Sequence, residues 1–560
     1  MKERKMNEER KAILSPSIKN IVLCVGRVLM PKAYGMPEYN EEHLNRLEEH
    51  FSALDEDIID SFIKVIQLLK LRASIFTTDI NYKQEQRLKS LIDKLSGGNF
   101  IDRQLLHSIS VMLKMSYYSH PAVYKAMGVE EKQENITDKN ELQGLVELEE
   151  LQELSEFMLD AIIVGSGAGG AVMAYELASA GWNVLIIEEG GYHNREMFNR
   201  PPLDITKNLY RNGGLTFTLG VPSIYLPIGR SVGGTTTINS GTCYRPPKRV
   251  LEKWVSMGLE EWNDKDLSPF FDKVERILEV EQAQDKYLGG IAKIIARGCH
   301  NLGYKKHKAL SRNAPECDGQ GRCVFGCPTD AKRSTNISYI PLALQSGAYL
   351  SPKTKLKQMV IENNKVQHII VEHLGQEIKL SSKVLILSTG TLRTPLILKE
   401  SGIVNDHLGK HLSIHPAASM LAEFEEPIFA INSIPQGYGI EEFHDQGILY
   451  EGAFIPPEFT AMPIFAHGEK LQEILSLYNN LAAFGFLVED EGNGEVLGEW
   501  NDMPLVRYSL AKDDVKKIHR GLEILEVSIL RQVLNVCGLY YSLISRYLIG
   551  MICKLLLPNH

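Results

Sequence analysis

Residues 160–188 read DAIIVGSGAGGAVMAYELASAGWNVLIIE. Ala161 to Val164 is a short apolar run of the kind that forms a buried strand, and Gly165, Gly167 and Gly170 then make a G-x-G-x-x-G turn into a helix beginning near Ala168. Glycine at these places permits the tight turn, lets backbone approach a pyrophosphate, and brings helix and sheet together, while the helix N-terminus offers unpaired N–H groups to an anion. Ala174, Leu177, Gly181 and Val184 fall where that helix must pack on the sheet, stop, and return as a second strand. Glu188 ends the unit about 20 residues past the turn, where a carboxylate meets ribose hydroxyls. The stretch predicts a βαβ unit that binds a dinucleotide.

Around it lies a chain of 560 residues, long enough for several domains, whose 44% hydrophobic and 23% charged content is that of a globular protein. The formal net charge of −9 argues against nucleic acid as a partner, since phosphate backbones are met by a basic face. The opening MKERKMNEERK is charged and lacks the apolar core of a secretory signal, which predicts a cytoplasmic protein. Cys24, Cys243, Cys299, Cys537 and Cys553 are scattered, a pattern that suits a reducing compartment better than a disulfide framework.

Ahead of the glycine turn, residues 15–128 read as helical. Leu44, Leu47, Phe51, Leu54, Ile58, Phe62, Val65 and Leu69 recur every three or four residues, the stripe of one amphipathic helix, and Leu88, Leu91, Ile92 and Leu95 repeat it more briefly. Asn20 to Met30 is apolar but short and interrupted by Arg27, so a helix of the same region is expected there. From Val129 to Glu156 the chain turns rich in Glu, Gln and Lys, as a solvated linker does.

Beyond the turn, Leu226 to Pro247 reads LPIGRSVGGTTTINSGTCYRPP, a loop able to bring many backbone N–H groups and hydroxyls onto one polar ligand. Residues 355–388 alternate as sheet, and the run Lys383 to Ser388 followed by Thr389-Gly390 reads as a buried strand returning to the nucleotide unit, which makes that unit discontinuous. Cys317, Cys323 and Cys327, with Pro328 after them, resemble a ferredoxin run in which Gln320 replaces the second cysteine, so a four-iron cluster lacks a local ligand. A three-iron cluster, a zinc with a distant fourth ligand and a plain glycine-rich loop with buried thiols stay open, and no metal is assigned.

Taken together, the chain resembles the glucose–methanol–choline (GMC) flavin oxidoreductases, and within them the long-chain alcohol oxidase and cholesterol-oxidase-like branch. The resemblance rests on Gly165 to Glu188, on the Gly-Arg-x-x-Gly-Gly-Thr-Thr-x-x-Asn block from Gly229 to Asn239, on Gly390 to Pro395 leading to Ser401-Gly402-Ile403, and on Leu408 to Pro416. The cysteine run followed by Ala331-Lys332 and the helical region ahead of the flavin fold also look like that branch. It implies an α/β fold: a Rossmann-like FAD domain, an antiparallel-sheet substrate domain and an N-terminal helical domain. It implies FAD as cofactor, with the pyrophosphate at Gly165, Gly167, Ala168 and Gly170, the ribose on Glu188, and the flavin along Gly229, Arg230, Gly233, Gly234, Thr235 and Asn239. The implied reaction is oxidation of the CH–OH group of an alcohol, long-chain or sterol, with hydride transfer to flavin N5 and oxygen, a quinone or a cytochrome as acceptor. A non-catalytic flavin-binding or scaffold protein is the alternative; a flavin monooxygenase would need a second G-x-G-x-x-G, which the chain lacks.

The expected division of the chain is 1–156 helical domain and linker, 157–250 with 380–416 FAD domain, 251–379 with 417–532 substrate domain, and 533–560 an apolar tail. Relatives of this kind end in a histidine strand and an Asn-Pro segment that closes over the flavin; this chain has no Asn-Pro dipeptide, and after Pro504 only His519 and His560 remain. No catalytic base is therefore transferred, and impaired turnover by a truncated chain is expected. Leu534 to Leu557 reads in three ways: a membrane anchor, with Arg546 costly in its middle, an interrupted terminus, or a buried helix.

Overall fold

The apolar run before the glycine turn forms strand β1 (Met158–Val164), which pairs in parallel with β2 (Val184–Ile187) in a computed structural model that describes residues 13–54, 56–75, 80, 82–130, 136, 142–500, 502–526 and 536–541. Strand β3 (Tyr349–Ser351) lies beside β2, while β4 (Thr354–Glu362), β5 (Lys365–His373) and β6 (Gln376–Leu387) form a meander whose last strand pairs in parallel with β1. The order is β3-β2-β1-β6-β5-β4. Alternation along β1 serves two layers. Ala161 and Ile163 meet Ala171, Ala174 and Ala178 of the helix Ala168–Ser179, whose small side chains let it approach closely. Ile162 and Val164 meet Leu356, Met359, Ile369 and Val371 of the meander. A boundary at residue 380 would cut this sheet, because β3, β4 and β5 all lie before it.

The second sheet is antiparallel: β7 (Ala417–Phe424), β8 (Tyr438–Ile440), β9 (Ile448–Ala453), β10 (Leu481–Val488) and β11 (Val536–Tyr541), with the short strand His307–Ala309 at one edge. Met420, Tyr450, Phe484 and Phe486 point to one face, against the helices Gly289–Leu302 and Lys512–Glu523 and the N-terminal helices. Buried and half-buried residues alternate along β7 and β10, so the other face is mostly half-buried or exposed, with Leu481 and Glu451 buried on it.

The N-terminal helices Pro16–Leu29, Glu41–Phe51, Glu56–Arg72, Tyr82–Ser96 and Phe100–Tyr118 share one continuous core with this sheet. Gln472 fixes the junction, accepting from Tyr118 Oη at 3.1 Å and donating to Tyr117 Oη at 2.8 Å. The stripe from Leu44 to Leu69, which reads as one helix, is two. The first helix ends where Ser52 Oγ donates back to Glu49 O at 2.6 Å, a local bond that competes with helix continuation, and the second begins at Glu56. Asn40 caps the first, its side chain accepting from Glu42 N at 2.9 Å while His43 Nδ1 accepts from Asn40 N at 3.0 Å.

Within the apolar tail, Val536–Tyr541 is an edge strand on β7 rather than part of a helix, and the remainder of Leu534 to Leu557 lies outside the described residues. No helix among the described residues is long and apolar enough to cross a membrane. The helix Lys512–Glu523 reaches the sheet because residue 521 is glycine: a Cβ there would stand 2.2 Å from the Phe486 ring. Gly521→Ala is expected to destabilise the protein by about 1–3 kcal/mol through overpacking, read as a lowered urea midpoint with unchanged slope.

Candidate functional site

The turn after β1 is built around Ser166, which is fully buried. Its N–H and hydroxyl both donate to Glu188 Oε2, at 3.0 and 2.7 Å, and its Oγ accepts from Gly233 N at 3.0 Å. Glu188 Oε1 accepts from Gly190 N at 2.9 Å. Burial pushes the Glu188 carboxyl above the usual carboxylate range, and the bonds from Gly190 and Ser166 pull it back. Glu188 thus braces the turn at the end of β2, in addition to facing the cleft beside it.

Each glycine of the turn has a distinct reason. Gly165 has φ 98°, and a Cβ on it would stand 2.5 Å from Ser388 O. At Gly170 a Cβ would stand 1.9 Å from Gly165 O, so the helix could not start where it does. Gly167 differs: a Cβ there would be in ordinary contact with Gly234 Cα at 3.9 Å, whereas one on Gly234 would crowd Gly167 Cα at 3.0 Å. The loop carrying Gly234 is equally tight, since a Cβ on Gly229 would lie 2.6 Å from Gly234 C. Backbone therefore meets backbone closely at the wall of a cleft of about 410 Å³.

Gly165, Gly167, Ala168, Glu188, Gly229, Gly234 and Thr235 all line that cleft, and Ser388, Thr389 and Gly390, directly after β6, close its floor. Four of the sequence-selected residues stand behind the lining. Gly170 packs beneath the turn, Gly233 holds Ser166, Arg230 lies 4.0 Å from Glu189, and Asn239 gives its carbonyl to Lys332 Nζ at 2.8 Å. Sequence reasoning missed Arg211, Lys355 and Arg393, which line the cleft and pair with Glu189, Asp502 and Glu499. They come from separate segments, and no local spacing links them. Ser166 was visible only as an unspecified position inside the glycine motif.

Lys332, fully buried, ties the cysteine loop to the Gly229–Gly241 loop, its Nζ donating to Thr237 O, Asn239 O and Cys323 O at 2.7, 2.8 and 2.7 Å. Burial lowers its amine to about 8, while the thiols of Cys323 and Cys327 work in the opposite direction. Cys323 Sγ accepts from Arg312 Nη2 at 3.1 Å, Cys327 Sγ from Lys332 N at 3.4 Å, and Gln320 Nε2 donates to Asp318 Oδ2 at 2.5 Å. Among the described residues no group of three or more His, Cys, Asp or Glu is placed to hold a metal ion. Of the histidines, His415 is exposed, with its N–H on Asp490 Oδ1 at 3.3 Å, and His519 sits on the helix packed against the apolar face of the second sheet. Removing the amine that three carbonyls share leaves each buried without a donor, so Lys332→Met is expected to cost about 3 kcal/mol or more, measured by urea denaturation.

Residues 206–417 match the model of the GMC oxidoreductase family, and residues 160–197 match that of an FAD binding domain. An uncharacterized GMC-type oxidoreductase of Mycobacterium tuberculosis is 32% identical over 369 residues, 65% of this chain and 58% of that protein. A long-chain-alcohol oxidase of Arabidopsis thaliana is 28% identical over 407 residues, 68% of this chain and 53% of the oxidase. The chain thus spans little more than half the length of these relatives. In fold it is similar to pyridoxine 4-oxidase from Mesorbium loti, with a TM-score of 0.50 at 15% identity over 67% of this chain and 80% of that one. The residues that line the cleft all fall inside these two matched stretches, so it is in the cleft-forming part that the chain is similar to the GMC oxidoreductases, and the matched FAD binding domain gives FAD as its cofactor.

Proposed function

We propose that the cleft holds FAD and that the chain serves the oxidation of the CH–OH group of an alcohol. The observation that carries this reading is the close approach of Gly167 and Gly234, where two stretches of side-chain-free backbone and a helix N-terminus converge beside one cleft. In this reading the free N–H groups at Gly167, Ala168 and Gly169 take the pyrophosphate, Glu188 stands by the ribose, and Gly229, Gly234 and Thr235 line the path toward the ring. Arg211, Lys355 and Arg393 add positive charge beside the diphosphate, tempered by their carboxylate partners. The unit that holds the cofactor then runs over 157–250 and 349–416, with the antiparallel sheet on the substrate side.

Bound FAD would supply the hydride acceptor; the protein's part is to orient cofactor and alcohol and to receive the hydroxyl proton. An alcohol as substrate is supported by the names of the relatives, among them long-chain-alcohol oxidases of Arabidopsis thaliana and an oxygen-dependent choline dehydrogenase of Photobacterium profundum. Cys24, Cys243, Cys299, Cys317, Cys323 and Cys327 are free thiols, which supports a reducing, cytoplasmic setting.

Two measurements test this reading. At Gly167→Val the Cβ meets nothing nearer than Gly234 Cα at 3.9 Å, so the chain should fold as the parent does, yet the branches would stand in the cleft that Gly167 lines. Retained flavin should therefore fall about tenfold or more while the melting temperature of the cofactor-free protein stays unchanged. Equal flavin released on denaturation of the two proteins would place the nucleotide elsewhere. Anaerobic addition of a fatty alcohol such as dodecanol to the flavin-loaded chain is expected to bleach the flavin absorbance, and a spectrum that never bleaches would refute alcohol oxidation.

A further inference from the structure

The half-buried face of the antiparallel sheet carries two carboxylates, Glu423 at the end of β7 and Glu451 in the middle of β9. Glu451 on β9 is opposite Gly485 on β10 and Gly439 on β8, and Gly485 is in turn opposite Ser419 on β7. Directly opposed residues of an antiparallel pair project to the same side, so Glu451 lies in a row with glycine on both flanks. The two glycines leave different spaces. A Cβ on Gly439 would crowd Leu310 at 2.6 Å and Tyr244 Oη at 2.9 Å, whereas one on Gly485 would have nothing nearer than Ala418 O at 3.5 Å. The row is therefore walled by Tyr244 on one side and open on the other.

Glu451 and the nearby Arg312 have hydrogen-bonding capacity to spare among the described residues. Glu451 is 7% exposed and takes part in no ion pair and accepts no hydrogen bond among the described residues. Arg312, 1% exposed, acts on it electrostatically without pairing, and its Nε and Nη1 have no partner. Burial pushes the Glu451 carboxyl up to about 7, with Arg312 opposing. A buried carboxylate and a buried guanidinium that feel each other's charge and have hydrogen-bonding capacity to spare are costly unless a third polar group joins them. Arg312 also donates to Ser240 O, at the far end of the loop whose Gly234, Thr235 and Thr236 line the dinucleotide cleft. The row and the cleft are thus the two ends of one loop.

On either side of the row the same face is apolar and low. Leu449 opposes Leu487, which opposes Ala417; Ala453 opposes Ala483, which opposes Leu421. With Gly485 at its centre this makes a shallow aliphatic trough leading away from Glu451.

We propose that Glu451, with Arg312 and Tyr244, forms a subsite that reads the hydroxyl of a primary alcohol, and that the trough over Gly485 takes the unbranched alkyl chain attached to it. This rests on the alcohol-oxidising reading above and gives it a substrate class. The hydroxyl donates to the Glu451 carboxylate and can accept from the free N–H groups of Arg312, satisfying both residues at once.

Fluorescence titration of the flavin-loaded chain with dansyl-labelled undecanol and with its dansyl-labelled undecane counterpart tests the subsite. The parent should prefer the alcohol by about tenfold or more, the worth of a hydrogen bond to a buried charged group. Glu451→Ala should lose that preference while keeping its flavin content. Gly485→Val, which meets no close neighbour and so should fold, should weaken both probes alike by filling the trough. A full preference in Glu451→Ala, unchanged binding of both probes to Gly485→Val, or no binding of either probe to the parent would each overturn the proposal. Flavin bleaching reports separately on the reaction: preference that depends on Glu451 without bleaching would keep the subsite and refute the oxidation, whereas bleaching with no such preference would do the reverse.

Discussion

Backbone must meet backbone at the wall of the dinucleotide cleft, and much of the molecule is arranged to make that possible. Gly167 at the helix start touches Gly234 from a loop nearly seventy residues on, and a Cβ on Gly234 would crowd Gly167 Cα at 3.0 Å. Such a contact has no side-chain packing to hold it. Ser166 supplies the missing tether, linking the turn to Glu188 at the end of β2 and to Gly233 in the second loop. A buried carboxylate accepting three hydrogen bonds is a rigid brace, and a rigid site is what lets fixed N–H groups act on an anion without reorganising.

The same loop carries the constraint outward. Beyond Thr236 its backbone carbonyls at Thr237 and Asn239 rest on the buried Lys332 amine, and Ser240 rests on Arg312. The cysteine loop is part of this clamp, since Cys323 gives its carbonyl to Lys332 and its sulfur to Arg312. Two buried cations therefore fasten this loop to the cysteine loop, and their charge is spread over carbonyls and a thiol instead of a paired carboxylate. Glu451 is the exception, near enough to feel Arg312 and not bonded to it.

Differences between the two faces of the second sheet follow from strand alternation. One set of residues, aromatic and large, is buried under helices; the other, small or aliphatic, is left half-open toward the loop that lines the cleft. Face identity is the reason His519 and Glu451 have different prospects. His519 belongs to a helix on the closed side, while Glu451 stands on the open one, and a sheet between them separates their surroundings.

The sequence by itself determined whatever depends on neighbours along the chain: the βαβ unit from Asp160 to Glu188, the glycine loop from Gly229, the return at Thr389-Gly390, and the helical character of residues 15–128. Each is a local matter of φ, period or cap. Tertiary structure decided what depends on distant partners. It split the Leu44 to Leu69 stripe where a serine bond competes with the helix, and it drew β3, β4 and β5 into the nucleotide sheet through hydrogen bonds that no periodicity encodes. It also put Arg230, Gly233 and Asn239 behind the cleft wall and set Arg211, Lys355 and Arg393 on it. Glu451 is the plainest case. In sequence it is one acidic residue in a strand, and only the register of three strands shows that glycine flanks it on both sides and that its nearest cation is left unpaired.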